Sequence, residues 1–131
     1  MTDRSDIQSF IDRLEDGFAI SEEVEDGLWV LTPEDGGSPI VVTMSPPVLV
    51  LRVNVMQLPP PGDRRNELLQ KLLQLNATEL VHGSYGIEDT QIVLTDAMQL
   101  GNLDFSEFQA SVDSITLALG SHLSTLASYQ E

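Results

Sequence analysis

The sequence contains no cysteine. Disulfides, thiolate metal sites and cysteine nucleophiles are therefore excluded, and the absence sits comfortably with a reducing compartment. Lysine is almost missing as well: Lys71 is the only one in 131 residues. It falls among leucines, where it reads as a surface residue, so a Schiff-base or phosphate-clamping lysine is nearly ruled out. Basic residues number 6 against 21 acidic ones, a formal net charge of −15. Such a chain repels phosphate backbones and anionic lipid, which argues against nucleic acid and membrane surfaces as partners. No apolar run exceeds four residues, as in Val48–Leu51, far short of a bilayer span. The first ten residues are acidic and polar, without the apolar core of a signal peptide. A cytosolic location is the expectation.

What is present is a foldable chain. Hydrophobic residues make up 41%, too many for an acidic disordered segment, and the length suits one domain over residues 1–131. Ile7, Phe10, Ile11, Leu14 and Phe18 recur at spacings of three and four. They predict a first helix over about 3–16, ending near Gly17, with Asp3 and Asp6 in its first turn. Ala19–Glu25 is a weak strand candidate, Asp26-Gly27 a turn, and Leu28–Leu31 a strand. Pro33–Pro39 reads as a loop and Ile40–Met44 as a strand. Val48–Leu58 is the longest strand, with Leu49, Leu51, Val53 and Val55 on the core face and Val48, Val50, Arg52, Asn54 and Met56 on the other.

After Pro59-Pro60-Pro61-Gly62, Asp63 can cap a Leu-rich helix running to about Asn76. Strands are predicted near 79–85 and 91–95, with the turn at Gly86–Thr90. The strongest periodicity is the last: Phe105, Phe108, Val112, Ile115, Leu119, Leu123 and Leu126 predict a helix over about 104–128, opened by Asp104 and Glu107 as a capping box. The expected fold is α+β, in the order α-β-β-β-α-β-β-α, with a mainly antiparallel five-stranded sheet and helices on one face.

Catalytic signatures are sparse. The two histidines, His82 and His122, have no second ligand at metal spacing, so no metal site is assigned. There is no phosphate loop, no dinucleotide fingerprint and no Gly-x-Ser-x-Gly elbow. His82-Gly83-Ser84-Tyr85-Gly86 resembles the elbow superficially, but its glycines suit a bulge and a turn. Acidic pairs such as Glu22-Glu23 and Glu88-Asp89 lack the calcium-loop pattern. An enzyme with carboxylates around His82 remains a minor alternative. Trp29, the single tryptophan, has two readings: a packed core residue or a partner-facing anchor.

Three segments carry a family resemblance. Leu68-Leu69-Gln70-Lys71-Leu72-Leu73-Gln74-Leu75-Asn76, then Gly83–Asp89 with Ile92-Val93-Leu94, then Leu100–Asp104 and the helix after it, together resemble the type III secretion chaperone-like family of Tir chaperones, including the YbjN-like domains. The resemblance implies a non-catalytic, cofactor-free homodimer that holds an extended client segment against its first helix and sheet. Phe10, Leu14, Trp29, Val48, Val50 and Met56 would be the partner-binding set, and Leu69, Leu72 and Leu73 the dimer interface. The alternative within the resemblance is a YbjN-like module whose partner is a folded protein.

Overall fold

A computed structural model of the chain describes residues 2–14, 18–34 and 37–129. Helix α1 is Arg4–Asp12, followed by strands β1 (Phe18–Glu25), β2 (Leu28–Pro33), β3 (Ile40–Ser45) and β4 (Val48–Gln57). Helix α2 (Asp63–Thr78), strands β5 (Ser84–Glu88) and β6 (Gln91–Gln99), and helix α3 (Phe105–Ala127) complete it. The strands form one sheet in the order β1-β2-β3-β4-β6-β5, and every neighbouring pair is antiparallel. The α+β class matches expectation, and the element order differs from it by one strand. The sheet has six strands, not five, because the weak Ala19–Glu25 candidate is a full edge strand.

Local chemistry places the ends. Asp3 caps α1 through a reciprocal box with Asp6, each side chain meeting the other's backbone N–H at 3.0 Å. This helix is shorter than the expected 3–16: it ends at Asp12 with Arg13 as its C-cap, and Phe18 of the predicted stripe opens β1; Glu15 to Gly17 lie outside the described residues. Asp104 caps α3 by accepting from the Glu107 N–H at 2.8 Å. Asp63 does not cap α2. Gly62 holds that position without a side-chain bond, and α2 extends two residues beyond the expected Asn76. The β5–β6 turn is Asp89-Thr90, with Asp89 at φ 54°, so Gly86 is a strand residue and not part of the turn.

The sheet buries one face. Trp29, Leu31, Ile40, Val42, Leu49, Leu51, Val53, Ile92 and Leu94 form a single cluster with Ile7 and Ile11 of α1, Leu68, Leu72 and Leu75 of α2, and Phe108, Val112 and Ile115 of α3. The three helices therefore share that inner face. Phe10 of α1 packs against Phe105 and Phe108 of α3, at centroid separations of 6.1 and 5.9 Å. Glu79, just past α2, and His122 of α3 meet at 3.5 Å.

Candidate functional site

The opposite sheet face presents a field of side chains outside the core cluster. Strand alternation and register put Leu28, Val30, Val41, Val48, Val50, Arg52, Asn54 and Thr95 on it. The valines of β2, β3 and β4 here are half-buried, shielded by each other and by neighbouring side chains. Val30, Val41, Arg52 and Asn54 line a recess of about 260 Å³ with Ser38 and Pro39 at its rim. Arg52 pairs with Glu88 across β6 and donates to the Asn54 side chain. The centre of the face is thus apolar with one tethered cation, and its margin at β1 is acidic.

Val48 and Val50 stand on this face as expected. Met56 does not. A bulge shifts the β4–β6 register between Asn54 and Met56, which inverts the alternation, so Met56 enters the core at 5% exposure while Val55 is half-buried. Trp29 is also corrected from partner-facing to core. Its side chain is fully buried, and its Nε1–H donates to Gln8 of α1 at 2.8 Å. Phe10 of α1 and Leu14, two residues past its end, are half-buried against the core, so only their outer edges are offered. On α2, Leu73 is 69% exposed and Leu69 half-buried, but Leu72 points inward at 4%. Its place in the core removes it from any interface that leaves the fold intact.

Helix α1 is fastened at the acidic end of the sheet. The Arg4 guanidinium meets both Glu23 oxygens at 2.6 and 3.0 Å. Glu23 also accepts from the Gly27 N–H at 3.0 Å. The bond from Arg4, then that from Gly27, holds the Glu23 carboxyl below the usual carboxylate range.

Among the described residues the titratable groups do not converge on a catalytic arrangement. His122 is buried, with Nδ1 2.7 Å from the Tyr85 hydroxyl. Burial pushes the Tyr85 phenol up to about 12. His82 lies in the α2–β5 connection and not in a strand. It lines an open recess of about 290 Å³ with Glu107, Ser106 and Ser111. Ser111 spends its hydroxyl proton on Asp96, so it is not presented to a histidine as a nucleophile would be. No three metal-ligating side chains gather among the described residues, and no helix there is long and apolar enough to cross a membrane.

Periodicity also hid a feature of α3. Leu123 shares the apolar stripe but is 68% exposed, beside a cleft between α3 and the sheet. The signal available was Gly120, a glycine in mid-helix.

A six-stranded antiparallel sheet with all three described helices packed on one face defines a two-layer α+β class. Comparison with known proteins narrows this. The family model CesT_Tir_1 matches residues 2–131, so the chain belongs to that family. A chain of the heterodimeric ExoU-SpcU complex from the type III secretion system of Pseudomonas aeruginosa matches with TM-score 0.63 and 19% identity, covering 84% of this chain and 88% of that one. The Yersinia pestis type III secretion chaperone SycH, solved with a fragment of YscM2, matches at 0.59 and 15%, covering 89% and 97%. E. coli YbjN matches at 0.63 and 12%, covering 92% and 90%. At these identities the likeness establishes the fold. No curated protein matches significantly by sequence.

Proposed function

We propose that the chain is a non-catalytic, cytoplasmic polypeptide-binding protein of the chaperone type, holding an extended segment of a partner against its uncovered sheet face and the outer edge of α1. The observation that carries this is the valine field around Arg52, left without a covering helix in a family whose structural neighbours include chaperones solved with protein partners. Valines in register on a pleated face grip apolar side chains without demanding a sequence, and exposed strand edges accept main-chain hydrogen bonds. The surplus of carboxylates favours basic segments and slows wrong encounters.

The test is binding of a labelled 20-residue basic peptide with alternating apolar residues, measured on the wild type and on the Val48→Asp/Val50→Asp variant. Micromolar binding that the double variant loses supports the reading. Equal binding by both, or none by either, overturns it.

The reading includes a homodimer through the open side of α2, where Leu73 and Leu69 lie. Light scattering should give a dimer that Leu73→Glu converts to monomer. A wild-type monomer at tens of micromolar would remove this part. A second reading, a YbjN-like module with a folded partner, is favoured by the alignment with YbjN, which spans 92% of this chain against 84% and 89% for the two secretion-system structures. It predicts a stable complex with a folded protein and no affinity for extended peptides.

A further inference from the structure

Along the second half of α3 a cleft opens between the helix and the inner edge of the sheet. Leu119, Gly120 and Leu123 face Ile40, Val55 and Met56 across a volume of about 190 Å³. None of the described residues lining it is charged. Leu123, at its mouth, is 68% exposed.

Gly120 is the unexplained residue of this cleft. Glycine inside a helix lowers helix stability relative to alanine. It is tolerated where another part of the chain must come close, but a Cβ at Gly120 would meet no atom within 4 Å. None of the described residues needs the space. The missing side chain instead keeps the cleft open.

Size and charge select the occupant. Drug-sized ligands occupy roughly 300–1,000 Å³, so this cleft is too small for them. An apolar cavity of about 150 Å³ holds a benzene ring, so one aromatic or branched side chain fits. The five arginines are engaged internally: Arg4 on Glu23, Arg52 on Glu88, Arg13 over the Phe105 ring, Arg64 on the Ser128 carbonyl and Arg65 on the Pro59 carbonyl. A surface at −15 with its arginines so committed attracts a basic partner.

We infer that the α3–sheet cleft is an anchor pocket for one bulky apolar side chain, phenylalanine foremost, carried in a basic segment of the partner polypeptide. This rests on the polypeptide-binding reading and adds a second contact, away from the valine face.

The experiment uses two fluorescein-labelled 12-residue peptides of Lys, Arg and Ser, differing only in a central Phe or Ala. They are titrated against the full chain and against Gly120→Leu, which fills the cleft. The wild type should bind the Phe peptide about 10- to 100-fold more tightly, the worth of burying one such side chain. In Gly120→Leu that preference should fall below about threefold, while the melting temperature holds or rises because leucine is the better helix former. Methyl NMR on the wild type gives a second readout that needs no variant: the Phe peptide should shift Leu119, Leu123 and Met56. A Phe preference that survives in Gly120→Leu, an absent preference in the wild type, or unmoved methyls would overturn the pocket. If the 20-residue peptide still binds through Val48 and Val50 in that case, the broader reading stands and only the anchor falls.

Discussion

Tyr85 sits where α2, β5 and α3 meet. Its N–H donates to the Asn76 side chain at 2.7 Å, its carbonyl accepts from the same amide at 3.2 Å, and its hydroxyl meets His122. Asn76 thereby acts as a one-residue strand partner for the start of β5. The phenol's rise from 10.0 to about 12 comes from burial, so the folded state prefers the neutral form. That preference is complete below pH 10 and is lost as the pH climbs through about 12, because the unfolded chain ionises first. Discounted for solvent screening of the partly hydrated phenol, its size is roughly 1–2 kcal/mol. Tyr85→Phe should cost about 1–3 kcal/mol at pH 7 by leaving the buried His122 nitrogen unpartnered. It should also flatten the alkaline limb between pH 10 and 12. Urea unfolding of both proteins over pH 7–12 reads both effects, and parallel alkaline limbs would refute the assignment.

Gly83, two residues earlier, has φ +81°, and a Cβ there would lie 2.6 Å from the Thr95 carbonyl oxygen. Both strain and collision forbid a side chain. Gly83→Ala should lose at least about 1–2 kcal/mol in the same urea assay, and a neutral result would mean the β5 entrance moves freely. The need for a special backbone here was legible in His82-Gly83-Ser84-Tyr85-Gly86. Which glycine met it was not: Gly86 carries no positive φ, and Asp89 makes the turn instead. Sequence marks glycines that permit a conformation, while the strand pairing decides which one uses it.

At the scale of elements, α1 depends on its docking. Nine residues do not form a stable helix alone in water. Ile7 and Ile11 bury into the core, Gln8 accepts from Trp29, and Arg4 holds Glu23. The stripe that predicted α1 was legible because burial and helical period coincide there. The role of Trp29 was not, because its partner lies 21 residues away in sequence. Similarly, perfect alternation along Val48–Met56 conceals a bulge, which only the pairing with β6 reveals. Trp29→Phe removes the Nε1 bond and part of the ring's volume, a loss of about 1–3 kcal/mol. The loss should be uneven. Amide exchange at Ile7–Ile11 should accelerate at least tenfold while β4 and β6 keep their protection. Uniform acceleration would mean that α1 does not open on its own.

For the whole molecule, attraction and repulsion compete. Arg4–Glu23 and Arg52–Glu88 are attractive, but their cations are partly solvated, and such exposed pairs add little to stability. Against them stand 21 carboxylates and 6 cations in a chain of 131 residues. Within a Debye length of about 30 Å at 10 mM salt, most of those carboxylates feel one another, whereas at 0.15 M the length is about 8 Å. Screening therefore removes more repulsion than attraction. The melting temperature should rise by several degrees between 10 and 150 mM NaCl. Arg4→Gln should enlarge that rise, since it deletes an attractive contact that salt would have weakened and leaves the excess negative charge larger. The same carboxylates crowd the β1 end, so binding of a basic peptide should weaken over the salt range in which the fold strengthens. Opposite salt trends for stability and for binding would follow from one cause, the unbalanced surface. A melting temperature that falls with salt would mean the few ion pairs outweigh the charge excess.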